Sequence, residues 1–341
     1  MQRQRTEPFN IHSISPSRLN NFFECGVAFK KEYIELLPFE RSGSAALFGT
    51  VLHAALEKWS LDREHSLVNL VAGCWQEELE GTPLKHFLEE YRPLSIKARK
   101  LEKDICQRRP DIKAPRMTRD WKQSQVSKDI FRLQQKWSQQ LEGSFYTFTE
   151  SDPLPKLFDE SLILARKYEL RARQWPSSLQ TELPFNVPLE VDGEEYRFTG
   201  YIDSLEFWTE VPEGLPWEPG YVLRDYKSYA REPYPNKDRR QMLTYRMAFE
   251  KLVELGFLDL PLSDSRGNKF RITCVLDYPR LGDFSTYSFG DAEWTDLVTD
   301  VALYSKAVKA GVFLPAGKSR NPDYCPFPSS CCMTRGESCS G

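Results

Sequence analysis

The segment VLRDYKSYA, Val222 to Ala230, sets an acid and an amine two residues apart, at Asp225 and Lys227. Val222, Leu223 and Tyr226 mark it as a strand that enters a core, and in a strand residues i and i+2 project from the same face. A second acid, Asp203 in GYIDSLEF, sits near the end of another strand pattern. Neighbouring strands hold their side chains roughly 5 Å apart, so two carboxylates there could share one divalent cation. Hard ions such as Mg²⁺ or Mn²⁺ take oxygen ligands and keep several waters. A water on such an ion loses its proton more easily and becomes a nucleophile. Lys227 would orient or help deprotonate that water, or offset the charge that builds up on a phosphorane-like transition state. An isolated D-x-K is far more often a surface ion pair, so the case depends on its company.

Further residues supply that company. His53 in GTVLHAALE lies one turn into a helix, beside the small pair Gly49–Thr50, where another backbone could approach closely. A lone helical His is more often packed or solvated than a ligand. Glu182 in TELPF begins the strand before Asp203 and could face the same centre, or be a solvated strand-end acid. Gln241 and Tyr245 are four apart and share one helix face; with Arg240 they could meet a phosphate or a base.

The elements that must position these residues are legible in outline. ISPSRLNNFFECGVAFKKEYI reads as a helix capped by Ser15, with Pro16 in its first turn. ALFGTVLHAALEKWSLD is a second amphipathic helix. From about 65 to 175 the pattern is mostly helical, with Trp75, Leu79, Phe87, Leu133, Trp137, Leu162 and Leu170 as expected core positions. Near Leu179 the character changes: LQTELPFNVPLEVDGEEYRFTGYIDSLEFW alternates around an Asp-Gly, the mark of a strand pair. DRRQMLTYRMAFEKLVEL reads as a helix, RITCVLDY as a strand and WTDLVTDVALYSKAVKAG as a last helix. That order predicts an α/β fold, a mixed sheet with helices on its faces.

The 46 basic and 49 acidic residues nearly cancel, so any contact with nucleic acid must come from a local patch. Residues 97–136 hold 13 Lys or Arg against five Asp or Glu, with Trp121, Phe131 and Trp137 interleaved. Such a face is either simply solvated or a track for single-stranded DNA, with residues such as Lys122 along phosphates and Trp121 stacking on bases; a core position for Trp121 and Trp137 is the other reading. No apolar run is long enough for a membrane span, and MQRQRTEPFN lacks the apolar core of a signal peptide. An intracellular, soluble protein is expected, whose eight cysteines serve as thiols or metal ligands rather than disulfides.

Taken in order, SPSRLNNFFEC, FGTVLHAALE, GYIDSLEF, DYKS and QMLTY resemble the RecB-type nuclease family of the PD-(D/E)xK superfamily. That family includes the CRISPR-adaptation exonucleases, the AddB nuclease domain and many phage-encoded exonucleases. The motifs run from Ser15 toward the cysteine tail, although residues 60–175 match in position only. The resemblance implies a restriction-endonuclease-like mixed central β-sheet flanked by helices, with a large helical insertion. It also implies one nuclease domain over 1–341: N-terminal helices to 60, the insertion over 61–175, the catalytic sheet and helices over 176–315, and a Cys-rich tail over 316–341. His53, Asp203, Asp225 and the carbonyl of Tyr226 would bind Mg²⁺ or Mn²⁺, with Glu182 as a further candidate. Lys227 would be catalytic, and Gln241 and Tyr245 would support substrate and site.

Many members of that family hold a 4Fe–4S cluster on one Cys after the first helix and three near the C-terminus. Cys25 fits the first place, and Cys325 and Cys331 fit the pair separated by five residues. The remaining expected position falls on Pro322, a departure that leaves Cys332 or Cys339 to supply the fourth thiolate. Zinc in a rearranged site, or no metal at all, are the other readings. The resemblance implies a DNA exonuclease acting on single-stranded ends in recombination, repair or processing, in the cytoplasm of a bacterial or phage-infected cell. A structure-specific endonuclease of the same fold and a non-catalytic DNA-binding subunit are its rivals. The chain has no G-x-x-x-x-G-K-S/T phosphate loop, so unwinding would need a separate helicase or recombination partner.

Overall fold

The structure of the protein, a computed structural model, describes residues 9–39, 42–142, 146–148, 153–228, 235–315 and 327. The chain begins with β1 (Ser13–Ile14), α1 (Pro16–Glu24), α2 (Gly26–Phe29) and a π-helical turn at Lys30–Ile34. Next come β2 (Ser42–Gly43), α3 (Ser44–Leu61), α4 (Leu67–Glu78), α5 (Pro83–Arg108), α6 (Arg119–Gln123) and α7 (Gln125–Lys136). These lead to α8 (Ser138–Glu142), β3 (Tyr146–Thr147) and α9 (Leu154–Ala172). The last part holds β4 (Gln180–Val191), β5 (Glu194–Trp208), β6 (Gly220–Tyr226), α10 (Pro235–Glu254), β7 (Arg271–Tyr278), β8 (Asp283–Tyr287) and α11 (Asp291–Lys309). Two compact units result: Met1–Arg41, Leu56–His65 and Leu170–Gly341 form the sheet unit, and Ser42–Ala55 with Ser66–Glu169 form the helical unit.

The sheet unit is the mixed α/β architecture that the sequence predicts. Its strands run in the order β1-β5-β6-β7-β8, with β4 on the other edge of β5. The β4–β5 hairpin turns at Asp192–Gly193, both with positive φ (52° and 78°), the backbone that an Asp-Gly pair accepts most readily. β5–β6 and β7–β8 are antiparallel, whereas β6–β7 and β1–β5 are parallel. Every residue of β6 is buried, as a central strand covered on both faces requires. One face packs against an apolar core that includes Leu19, Phe185, Leu223, Met242, Phe249 and Tyr304. The other carries a buried charge cluster described below.

The first helix departs from expectation. Ser15 caps it, accepting the Arg18 N–H at 3.1 Å, but it does not run on through Cys25. Cys25 is extended (φ −162°, ψ 98°), and its Sγ starts the next helix by accepting the Ala28 N–H at 3.4 Å. The break sets Gly26 against the backbone that follows α11. A Cβ at Gly26 would stand 2.8 Å from the backbone N of Leu314, closer than packing allows.

In the helical unit, several buried polar groups pair with one another, as burial favours. The Tyr91 hydroxyl donates to Asp159 at 2.6 Å, Arg116 adds an ion pair with Asp159 at 3.1 Å, and the Trp75 indole donates to Ser161 at 2.9 Å. Leu170, expected in the core, is 61% exposed in the sheet unit. It follows Ile163, Arg166 and Lys167 on the solvent stripe of α9, at helical spacing that the apolar count alone does not separate from a core stripe.

Candidate active site

Strand register places the acids. Ser204 pairs with Arg224 across β5–β6, so Asp203 stands opposite Asp225 one step further on. Across β4–β5, Thr181 pairs with Ser204 and Leu183 with Ile202, so Glu182 stands opposite Asp203. Glu182, Asp203 and Asp225 therefore form a row across three adjacent strands. Glu182 has φ +45°, a left-handed backbone that a non-glycine residue adopts at a cost and that marks functional sites. In the middle of the row the Asp203 carboxylate accepts the Tyr226 N–H at 2.9 Å.

Lys227 follows the end of β6, and its own N–H donates to the Asp277 carbonyl at 2.8 Å. Its Nζ lies 2.7 Å from Asp225 Oδ2 and donates to Gln241 Oε1 at 2.8 Å. The Gln241 amide nitrogen in turn donates to Asp225 Oδ1 at 2.7 Å. The Tyr245 hydroxyl donates to the same Oδ1 at 3.2 Å, and it accepts from Gln241 at 2.8 Å. The four-residue spacing on α10 thus aims amide and phenol at one carboxylate, the shared face that the sequence implies.

Burial, followed by crowding of like charge, sets the electrostatics of the group. Burial, the charge of Asp225 and that of Glu182 together hold the Asp203 carboxyl well above the usual range, against the opposing pull of the Tyr226 N–H and Lys227. Burial, then Glu57, then Asp225 raise Glu182. Burial works against a charged Lys227, but Asp225 and Asp203 outweigh it and raise the ammonium's pKa. Burial and the two aspartates push the Tyr245 phenol well up, so it stays protonated.

Among the described residues no group of three or more His, Cys, Asp and Glu side chains is assembled as a ready metal cage. The donor chemistry nevertheless fits a hard divalent ion, which needs only one or two carboxylates and fills its other positions with water and phosphate. Asp203 and Asp225 provide that pair, and mutual repulsion is what a cation between them would relieve.

Two contributors escape the sequence reading. Glu57, on α3, acts on Glu182; its spacing of four from His53 was the available signal. Asp238, fully buried in the first turn of α10, adds to the field on Lys227, and nothing local distinguishes it from a solvated helix-start acid. His53 itself is partly buried on α3, in the helical unit. Arg240 is not brought to this group: it binds Asp300 at 2.6 Å and Asn20 at 2.8 Å. Trp121 is 7% exposed and packs with Ala98 and Ile105 in a small core, so its ring is not presented for stacking, while Lys122 beside it is exposed. Cys25 is partly buried; Cys325, Cys331, Cys332 and Cys339 lie outside the described residues. Among the described residues no helix is long and apolar enough to cross a membrane.

A family model, that of the PD-(D/E)XK nuclease superfamily, matches residues 13–332. No curated protein matches the sequence. Among solved structures, the crystal structure of SSO0001 matches at 12% identity, over 60% of this chain and 80% of that one, with a TM-score of 0.29, a likeness that carries no argument here.

Proposed function

The chain belongs to the PD-(D/E)XK nuclease superfamily, and on that premise we propose that it is a divalent-cation-dependent deoxyribonuclease that degrades single-stranded DNA from an end. The observation that carries the proposal is the row of Glu182, Asp203 and Asp225 with Lys227 held as an ammonium beside it. Asp203, Asp225 and the carbonyl of Tyr226 would hold Mg²⁺ or Mn²⁺. Such an ion, when bound, polarises a phosphoryl oxygen and makes a water more acidic.

The chain's own residues do the rest. Lys227 is kept charged by Asp225 and Asp203, which favours compensation of charge on the phosphate over proton abstraction. Gln241 accepts from Lys227 and donates to Asp225, so one amide sets the direction of both functional groups. Tyr245, kept protonated, fixes the same carboxylate from a second side. This is preorganisation of the kind that electrostatic catalysis needs.

The whole chain is read as one nuclease domain carrying a helical insertion, working in DNA recombination, repair or processing beside a separate helicase or recombination partner. The family resemblance adds a 4Fe–4S cluster on Cys25 and three of the C-terminal thiols. Its support in the fold is the contact of Gly26 with the backbone of Leu314 and of Phe39 with Phe327, whose ring centroids are 5.5 Å apart. Linear and circular single-stranded DNA with Mg²⁺ or Mn²⁺ test the reading. Loss of the linear form with survival of the circle is expected. Cut circles would replace it with an endonuclease, and two intact substrates would remove it.

A further inference from the structure

The edge of β5 that faces β6 is interrupted. β1 pairs there at Arg197 and Phe198, and β6 pairs from Ser204 onward. Among the described residues, Thr199–Ile202 have no strand partner on that edge. A cavity of about 1060 Å³ is lined by Thr199, Gly200 and Tyr201 of this stretch together with Leu183–Asn186 of β4, and it reaches Gln241 and Tyr245. It lies at the upper end of small-ligand pocket sizes. Along α10 it extends from Gln241 to Leu252, which is about 16 Å of helix, the length of roughly five stacked nucleotides.

The lining has a definite character. Next to the row of three acids, the cavity is lined by no acid, and Arg197 is its one charged residue among those described. Two large rings stand in solvent on its walls, Tyr201 at 58% exposure and Phe257 at 71%. Gly200 leaves the space that the Phe185 ring fills: a Cβ there would stand 2.7 Å from that ring. Phe185 in turn packs edge-on to Tyr245, with centroids 6.0 Å apart. Exposed aromatics beside an anionic centre, with little positive charge, suit a strand held through its bases more than its phosphates.

We propose that this gap in the sheet is the substrate track, which takes an unpaired DNA strand with its bases on Tyr201 and Phe257 and a phosphate at Arg197, and feeds it to Lys227. The proposal rests on the nuclease reading and names the path to that site. It moves the strand away from the basic helical segment 97–136.

The test is fluorescence anisotropy of a labelled oligothymidylate with the full chain in EDTA, where no cleavage occurs. Tyr201→Ala and Phe257→Ala should each weaken binding about tenfold, with Tyr201→Phe binding like the parent. The slope of log affinity against log salt should be about −1 to −2, because few phosphates are neutralised. Binding by the double alanine variant within about twofold of the parent would overturn the track. So would a slope steeper than about −4, which would point to a cationic path. A parent that binds through the rings but cleaves nothing with Mg²⁺ would remove the nuclease reading and leave the track standing. A parent that cleaves while the rings are irrelevant would do the reverse.

Discussion

At the scale of single residues, stability and function pull in opposite directions at Asp203. Its carboxyl is held among like charges and raised by burial, Asp225 and Glu182, so the folded protein without a cation carries unrelieved repulsion. Asp203→Asn should therefore raise the melting temperature in EDTA by about 2–5 °C, while cleavage falls about a hundredfold or more; calorimetry and a nuclease assay on one preparation check both. Mg²⁺ should stabilise the parent and leave Asp203→Asn nearly unmoved, by the mass action of a ligand that binds the native state. Gln241→Ala removes the amide that joins Lys227 to Asp225. It should slow cleavage about tenfold or more with unchanged melting, since the amide positions groups that remain present.

At the scale of elements, β6, the strand that carries Asp225, is anchored from its other face. Arg224, fully buried, forms a two-bond fork with Glu206, both at 2.9 Å, and binds Asp277 at 3.2 Å. Trp175, Trp217 and Phe284 close around its guanidinium at 4.9, 5.1 and 5.9 Å. Burial would raise the Glu206 carboxyl, but Arg224 and the Trp208 indole outweigh it and hold it below its ordinary value. A depressed folded-state pKa gives stability that is present above the unfolded carboxylate's value and is lost as pH falls through the folded one. The parent should lose stability below about pH 4, and Glu206→Gln should flatten that acid limb. Glu206→Ala should cost about 3–5 kcal/mol in chemical denaturation, because it removes the two-bond carboxylate partner of a buried guanidinium.

This network shows where the sequence stops being legible. Asp225 and Lys227, or Gln241 and Tyr245, are related by spacing within one element, and spacing alone aims them together. Arg224, Glu206 and Asp277 come from three strands, and Glu57 from a distant helix; only register brings them into contact. The same holds for Glu182, whose alignment with Asp203 depends on the hairpin's pairing. β1 and β8 are too short, at two and five residues, to show a period. Trp121 was ambiguous because an aromatic on an amphipathic helix has the same pattern whether it faces a core or a ligand. Trp121→Ala should destabilise by about 3–5 kcal/mol, the cost of a cavity rather than of a lost contact with DNA.

At the scale of the whole molecule, a formal net charge of −3 provides no general attraction for DNA. On the proposed reading, affinity arises locally, at Lys227, Arg197 and the exposed rings. Gly26, beside Cys25, lies against the backbone of Leu314, a residue that follows α11. If thiolates clasp these segments, protein purified without air should absorb in the near-visible and carry about four iron atoms per chain. Cys25→Ser should lose that iron and melt lower, and a colourless, iron-free parent would remove the cluster from the account.

The central claim is that Asp225 and Lys227 act together on a phosphate. Its most direct test is the cleavage rate of linear single-stranded DNA in Mn²⁺ for the parent, Asp225→Ala and Lys227→Ala, each shown to be folded by its near-ultraviolet circular dichroism. The account predicts that each variant loses at least about a hundredfold in rate. Undiminished cleavage by either folded variant would contradict it.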